Sequence, residues 1–214
     1  MASFQLPVDL GDAFVARRRG STTIVVRRDF LDVFEDRGLG SSAAAPPDGQ
    51  ALGGGRGAAW TAPAPGVGAF VVRPGRRGGW PGRLVKSRYM LGHRFLDELV
   101  LTERLRRRGA PVPEALAAVQ RGRSIGYETW LVTRRSVARP LAGVLADLAD
   151  SEAARAMEEA GRLVGAFHAA GGGHADLNAN NVLVGGPGAP GTGLVIDHDR
   201  GRLRPAGAPP EACR

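Results

Sequence analysis

The chain has 214 residues, of which 43% are hydrophobic, and this composition suits one folded domain or two tightly joined lobes rather than a disordered chain. The net charge is +8, and all 29 basic residues are arginine except Lys86, which favours phosphate groups or anionic surfaces as partners. Aromatic residues make up only 6%, which argues against a nucleic-acid partner bound by base stacking, and the single Cys213 excludes an intrachain disulfide.

The N-terminal third predicts short strands separated by a long loop. Two strands, over 13–19 and 21–28, follow from the β-branched residues around Gly20. Asp29 is expected to cap a short helix, and the stretch 38–68 predicts a loop region because it is rich in Gly, Ala and Pro.

A glycine cluster in that loop, with Gly55, Arg56 and Gly57 at its end, can bring backbone N–H groups close to phosphates. A plain linker explains the same cluster equally well. Its position before two predicted strands, over 58–61 and 69–73, favours a phosphate-binding role.

A basic residue and an acidic residue form the next candidate pair. Arg73 ends the strand over 69–73, and Lys86 is the competing cation. A helix is predicted over 92–108, where Glu98 shares a face with apolar side chains. A buried carboxylate needs a partner, for which Arg73 is one candidate and Arg94 or Thr102 the alternative.

The following segments predict a strand pair and two helices. The strands are expected over 121–125 and 127–133, with a connection over 134–139 and a short helix over 140–148. Ser151 is expected to cap a longer helix whose apolar residues recur at helical spacing.

One motif dominates the C-terminal part of the chain. His174-Ala175-Asp176 is followed by Asn181, five residues after the aspartate. An apolar run, a Gly/Pro loop and a second apolar run then lead to Asp197. This is the layout of a kinase catalytic loop, H-x-D-x-x-x-x-N, followed by a metal-binding aspartate.

Phosphoryl transfer accounts for each polar residue of the motif. Asp176 is predicted to be the base that receives or orients the acceptor hydroxyl, and Asn181 and Asp197 supply the oxygen ligands that Mg²⁺ prefers. His174 is predicted to fix the loop through hydrogen bonds to backbone. A solvated Asn/Asp turn is the alternative, but it requires none of these spacings.

The chain resembles the lipopolysaccharide-core kinases of the Kdo/heptose kinase family, most specifically in HADLNANN and VIDHDRGR. The resemblance implies ATP as donor, Mg²⁺ as metal and a Kdo-bearing lipid A precursor, an anionic glycolipid, as acceptor. It also implies that Arg73 and Glu98 form the nucleotide clamp, together with Gly55–Gly57. His198 stands where the family has Phe, a position expected to pack rather than bind metal.

The expected fold class is α+β and protein-kinase-like, with a β-rich N-terminal lobe over 1–133 and an abbreviated, helical C-terminal lobe over 134–214. The first 14 residues lack the apolar core of a signal peptide, and no apolar run approaches the roughly 20 residues that span a bilayer. We therefore expect a soluble or peripheral protein with no obligate protein partner, and the resemblance implies that it is cytoplasmic and peripheral on the inner membrane.

Two other functions remain open from the residues alone. A kinase of the aminoglycoside or choline type usually has H-G-D-L-H-x-x-N, whereas this chain has Asn178 at the second histidine. A non-catalytic basic binding module is the other alternative, and the joint presence of Asp176, Asn181 and Asp197 argues against it.

Overall fold

The computed structural model describes residues 8–52, 59–75, 94–122, 127–147, 150–186, 191–198 and 201–205. It is a mixed helix-and-sheet protein that divides into two compact units. The first comprises Met1–Val100 and Ala115–Arg135, and the second comprises Leu101–Glu114 and Ser136–Arg214. The predicted glycine-rich loop with Gly55, Arg56 and Gly57 lies outside the described residues, as does Lys86.

A large antiparallel sheet forms the first unit. Its strands are β1 (Phe14–Arg19), β2 (Thr22–Arg27), β3 (Gln50–Leu52), β4 (Ala59–Ala64), β5 (Gly68–Pro74), β6 (Ala115–Gly122) and β7 (Tyr127–Arg134). They are hydrogen-bonded in the order β1-β2-β6-β7-β5-β4-β3. Helix α1 (Leu31–Asp36) follows β2, and helix α2 (Arg94–Arg107) begins in the first unit and ends in the second.

Both faces of this sheet are buried along its central strands. Along β2, Ile24 and Val26 belong to one apolar cluster, which includes Trp60 and Trp130, while Val25 belongs to another, which includes Leu99 of α2. Successive side chains of a strand point to opposite faces, so β2 contributes to both clusters at once. A strand buried on both faces is apolar without alternation, as the central run Ile24-Val25-Val26 of β2 is.

Three sequence-based predictions about where elements begin differ from the structure. Asp29 is not a helix cap: it lies inside a 3₁₀ turn, Arg28–Phe30, where its carboxylate is 3.4 Å from the side chain of Arg27. Strand β6 begins at Ala115, well before the predicted start at Arg121. Helix α4 begins at Asp150, so Ser151 lies within the helix rather than capping it.

The second unit is built from helices and three short antiparallel pairings. Its elements are β8 (Arg139–Pro140), α3 (Leu141–Asp147), α4 (Asp150–Ala169), β9 (Gly172–Gly173), β10 (Val182–Val184), β11 (Leu194–Val195) and β12 (Arg202–Leu203). Strand β10 pairs with both β11 and β8, and β12 pairs with β9. The predicted hairpin of two short strands is confirmed, with Val182 opposite Val195. Within the described residues, no helix is long and apolar enough to cross a membrane.

Gly171 is a position where only glycine fits. It ends α4 with φ +90°, and a Cβ atom there would lie 2.4 Å from the backbone oxygen of Arg204. We expect Gly171→Ala to lower the Tm by roughly 4 °C or more, because the left-handed backbone alone costs about 1–2 kcal/mol and the clash adds to it. The measurement is thermal unfolding followed by circular dichroism.

A matched control for that variant lies on the same helix. A Cβ at Gly165 meets nothing within 4 Å, so Gly165→Ala should raise stability by about 0.5–1 kcal/mol through helix propensity. An unchanged Tm for Gly171→Ala beside a raised Tm for Gly165→Ala would show that the loop adapts to the added methyl group.

Candidate active site

The segment that enters the motif is held in place by the segment that leaves it. Gly172 and Gly173 of β9 pair with Leu203 and Arg202 of β12, and the N–H of Arg204 donates to the oxygen of Gly171 at 2.8 Å. A Cβ at Gly172 would lie 2.5 Å from the Phe167 ring. The glycine run before His174 therefore serves close packing of strand, helix end and ring.

His174 joins the loop to the strand that delivers Asp197. The backbone N–H of Asp176 donates to Nδ1 at 3.1 Å, and Nε2 is 2.8 Å from the carbonyl oxygen of Ile196. Because Nδ1 accepts, the proton of the neutral ring lies on Nε2, which donates to Ile196. The side chain thus makes the two backbone hydrogen bonds that the predicted scaffold role requires.

Asn181 faces the same two segments. Its side-chain Nδ2 donates to the backbone oxygen of Asp176 at 2.8 Å, and its own backbone oxygen accepts from the N–H of Ile196 at 2.9 Å. With Nδ2 engaged, the side-chain oxygen of Asn181 makes no hydrogen bond within the described residues. An amide oxygen presented in this way is a ligand type that a hard cation accepts.

Asp197 adopts a strained backbone. Its φ is +66°, and among the described residues it is the one non-glycine with a positive φ. Such conformations persist where the surrounding structure imposes them, and they concentrate at functional sites. Asp197 follows the strand partner of β10, so its exposed carboxylate lies at the same end of the hairpin as Asn181.

The residue after Asp197 packs, as predicted. His198 is 2% exposed, and its ring stacks on the buried Phe167 with centroids 5.5 Å apart and planes at 17°. His174 meets His198 edge-on at 5.6 Å. The three rings support the backbone on both sides of the polar residues.

His168, at the end of α4, is also a structural residue. Burial lowers its pKa below the ordinary value, and the neighbouring charge of Arg204 lowers it further. Its side chain is therefore predominantly neutral at physiological pH, in agreement with its place beside Phe167.

The loop is also held from the side of α3. The backbone N–H of Ala142, in the first turn of α3, donates to the oxygen of Ala179 at 3.0 Å. One of the free donors of the helix start is satisfied in this way. Strand β8, which precedes α3, pairs with β10, so both sides of Asn181 are anchored.

In the first unit, Arg73 and Glu98 form an ion pair between β5 and α2. Val72 packs into the cluster that contains Trp60, so strand alternation directs Arg73 to the opposite face, where Leu99 of α2 packs. Glu98 is 8% exposed and Arg73 is 35% exposed. The sequence left Arg94 and Thr102 as alternative partners, and the structure pairs Glu98 with Arg73.

The structure thus brings four predicted residues together in the second unit and pairs two in the first. The four are His174, Asp176, Asn181 and Asp197. Sequence reasoning missed Arg108, whose Nη1 donates to the oxygen of Arg204 at 2.8 Å and lies 3.4 Å from that of Ala170. It is one of several arginines at the end of α2, and spacing alone does not distinguish it from the others.

Comparison with known proteins identifies the family to which this chain belongs. The model of the lipopolysaccharide kinase (Kdo/WaaP) family matches residues 52–209, about three quarters of the chain. The chain belongs to this family, which confirms the resemblance read from its motifs.

The names of its relatives specify one kind of kinase within this family. The chain is 42% identical to 3-deoxy-D-manno-octulosonic acid kinase of Xanthomonas campestris pv. campestris (strain B100), over 71% of this chain and 60% of that protein. It is 38% identical to the protein of the same name from Stenotrophomonas maltophilia (strain R551-3), over 87% of this chain and 74% of that one. The chain thus spans 60% of the length of the Xanthomonas relative.

Proposed function

We propose that this chain transfers the γ-phosphoryl group of ATP to a hydroxyl of 3-deoxy-D-manno-octulosonic acid (Kdo) on a lipid A precursor, in lipopolysaccharide inner-core synthesis. The observation that supports it most is that the hydrogen bonds of His174 and the β10–β11 hairpin hold Asp176, Asn181 and Asp197 in one region of the second unit. The names of the relatives supply the acceptor.

The proposed roles follow from chemistry. Asp176 is exposed, and its backbone is held on both sides by hydrogen bonds, so its carboxylate can accept or orient the proton of an incoming hydroxyl. Asn181 and Asp197 would hold Mg²⁺ through an amide oxygen and a carboxylate, a donor set that suits a hard cation. When bound, the metal neutralises charge on the phosphate oxygens.

We further propose that the two units are the lobes of a protein-kinase-like fold. The last change of unit falls after Arg135, close to the predicted boundary between residues 133 and 134, and residues 101–114 belong with the C-terminal lobe. In that arrangement Arg73 binds the α- and β-phosphates, Glu98 orients it, and Gly55–Gly57 cover the phosphates. We also infer a peripheral position at the inner membrane, since the net charge of +8 favours an anionic lipid surface, where each nearby arginine contributes about 1 kcal/mol.

The acceptor assignment is tested by incubating the purified chain with labelled ATP, Mg²⁺ and a panel of acceptors. The panel contains Kdo-bearing lipid A precursor, heptosyl lipid, an aminoglycoside, choline and a protein substrate. We expect labelling of the Kdo lipid, and its loss on chelation of Mg²⁺. Faster labelling of the aminoglycoside would replace this function with the other small-molecule class.

The phosphate clamp is tested by paired variants at Arg73 and Glu98. Arg73→Gln alone removes a charged partner from a buried carboxylate. Glu98→Gln is therefore added in a double variant, which separates an effect on folding from an effect on ATP binding. We expect the double variant to fold and to raise the KM for ATP about tenfold or more, since a charge-assisted hydrogen bond contributes about 1.5–3 kcal/mol. Steady-state kinetics at saturating acceptor measure this.

Two further variants decide between the candidate cations. Glu98→Gln alone should change the KM for ATP less than the double variant, because Arg73 retains its charge. If Lys86→Ala raises the KM for ATP more than the double variant does, the clamp is Lys86 and the Arg73–Glu98 pair is structural.

A further inference from the structure

The side chain of Asn178 closes the loop between the proposed base and the proposed metal ligand. Its Nδ2 donates to the backbone oxygen of Asp176 at 3.1 Å, and its Oδ1 accepts the backbone N–H of Asn180 at 2.9 Å. Asn178 thus links one residue two positions before it to one two positions after it.

A second amide reaches the same carbonyl. The Nδ2 of Asn181 donates to the backbone oxygen of Asp176 at 2.8 Å. The backbone N–H of Asn181 donates to the backbone oxygen of Asn178 at 3.0 Å. A backbone carbonyl has two lone pairs, so the amides of Asn178 and Asn181 together satisfy that of Asp176. The peptide plane after Asp176 is therefore defined by two side chains rather than by a regular element.

The local fold explains why an asparagine serves here. The loop is exposed, and its backbone would otherwise hydrogen-bond to water in many conformations. In an Asx-type turn the side-chain oxygen of Asn178 accepts the backbone N–H in place of water. The same side chain also donates a hydrogen bond, which an amide can do and a carboxylate cannot. Asparagine is the short side chain that provides both groups at once.

We propose that Asn178 is a positioning residue, which holds the Asp176 peptide against Asn181 so that the base and the metal ligand keep one mutual geometry. The inference rests on the proposed function, and it assigns a role to a residue outside the proposed base and metal ligands. Small displacements of reacting groups reduce turnover strongly, on the order of 100-fold for about 1 Å.

Two substitutions separate the two hydrogen bonds. Asn178→Asp keeps the acceptor for Asn180 and removes the donor to Asp176, whereas Asn178→Ala removes both. Asn180→Ala is the matched control, because the exposed side chain of Asn180 makes no hydrogen bond within the described residues.

We expect kcat to fall by roughly 10- to 100-fold in both Asn178 variants, with the KM for ATP within about twofold of wild type. The Tm should change little, since the loop is exposed. Hydrogen exchange of the Asn180 amide, followed by NMR, should accelerate in Asn178→Ala and stay slow in Asn178→Asp. Asn180→Ala should match wild type in kcat.

The outcomes distinguish this inference from the function on which it rests. Equal kcat values for Asn178→Ala and Asn180→Ala would overturn the positioning role. If the wild-type chain phosphorylates no acceptor of the panel, the proposed function fails. Hydrogen exchange of the Asn180 amide then remains as the test of the hydrogen bonds made by Asn178. In that case unchanged exchange at Asn180 in Asn178→Ala would refute the closure by Asn178.

Discussion

Asp176→Asn is expected to lower kcat by about 10²- to 10⁴-fold, the range that a positioned general base contributes. The substitution removes the negative charge that accepts the hydroxyl proton. It preserves the backbone N–H that donates to His174 and the backbone oxygen that receives the Asn181 amide. The fold should therefore survive, and binding of Mg²⁺-ATP should be nearly unchanged.

The measurement combines single-turnover transfer to the Kdo lipid with nucleotide binding by calorimetry. Asp147→Asn is the matched control, because Asp147 is an exposed acid of the same unit whose ion pair with Arg139 is largely solvated. Wild-type turnover in a folded Asp176→Asn protein would remove this residue from the chemical step.

Asp197→Asn is expected to weaken Mg²⁺-dependent ATP binding by about 100-fold. Loss of groups that only orient a metal ligand reduces metal affinity by about 10- to 100-fold, and loss of the ligand charge itself should have at least that effect. Asparagine tolerates the left-handed backbone that Asp197 adopts at φ +66°, so the variant tests charge rather than strain.

The test is a titration of ATP at several Mg²⁺ concentrations, with the same titration in chelator as reference. Affinity in chelator should be equal for wild type and variant, and a high Mg²⁺ concentration should partly restore binding to the variant. A variant that responds to Mg²⁺ as the wild type does would place the metal on other residues.

The loop and hairpin of the second unit show which contacts the local sequence predicts. The loop from His174 to Asn181 was predictable because its contacts join residues two to five positions apart, so side-chain chemistry and spacing alone specify them. The hairpin that follows was predictable for the same reason, since Asn181 precedes its first short apolar run and Asp197 follows its second.

Strand β6 shows where local signals fail. The run Ala115–Val119 is continuously apolar, so it lacks the alternation of polar and apolar residues that marks a half-buried strand. It is also rich in alanine, which does not favour strands. Its strand conformation comes from backbone pairing with β2 and β7, and its side chains are divided between the two apolar clusters of the first unit. Burial by distant partners therefore decides an element that propensity leaves open.

The amino-acid sequence by itself determined the kind of chemistry: the polar residues of the loop, their spacing and the glycines that allow close packing before His174. Only the tertiary structure decided which distant groups meet them. Glu98 had three candidate partners, and strand alternation on β5 selected Arg73, 25 residues away. The bond from His174 to Ile196 spans 22 residues in the same way. Such contacts depend on how whole strands and helices pack, because the entropy of closing a long segment is offset by the burial of those elements rather than by the two side chains.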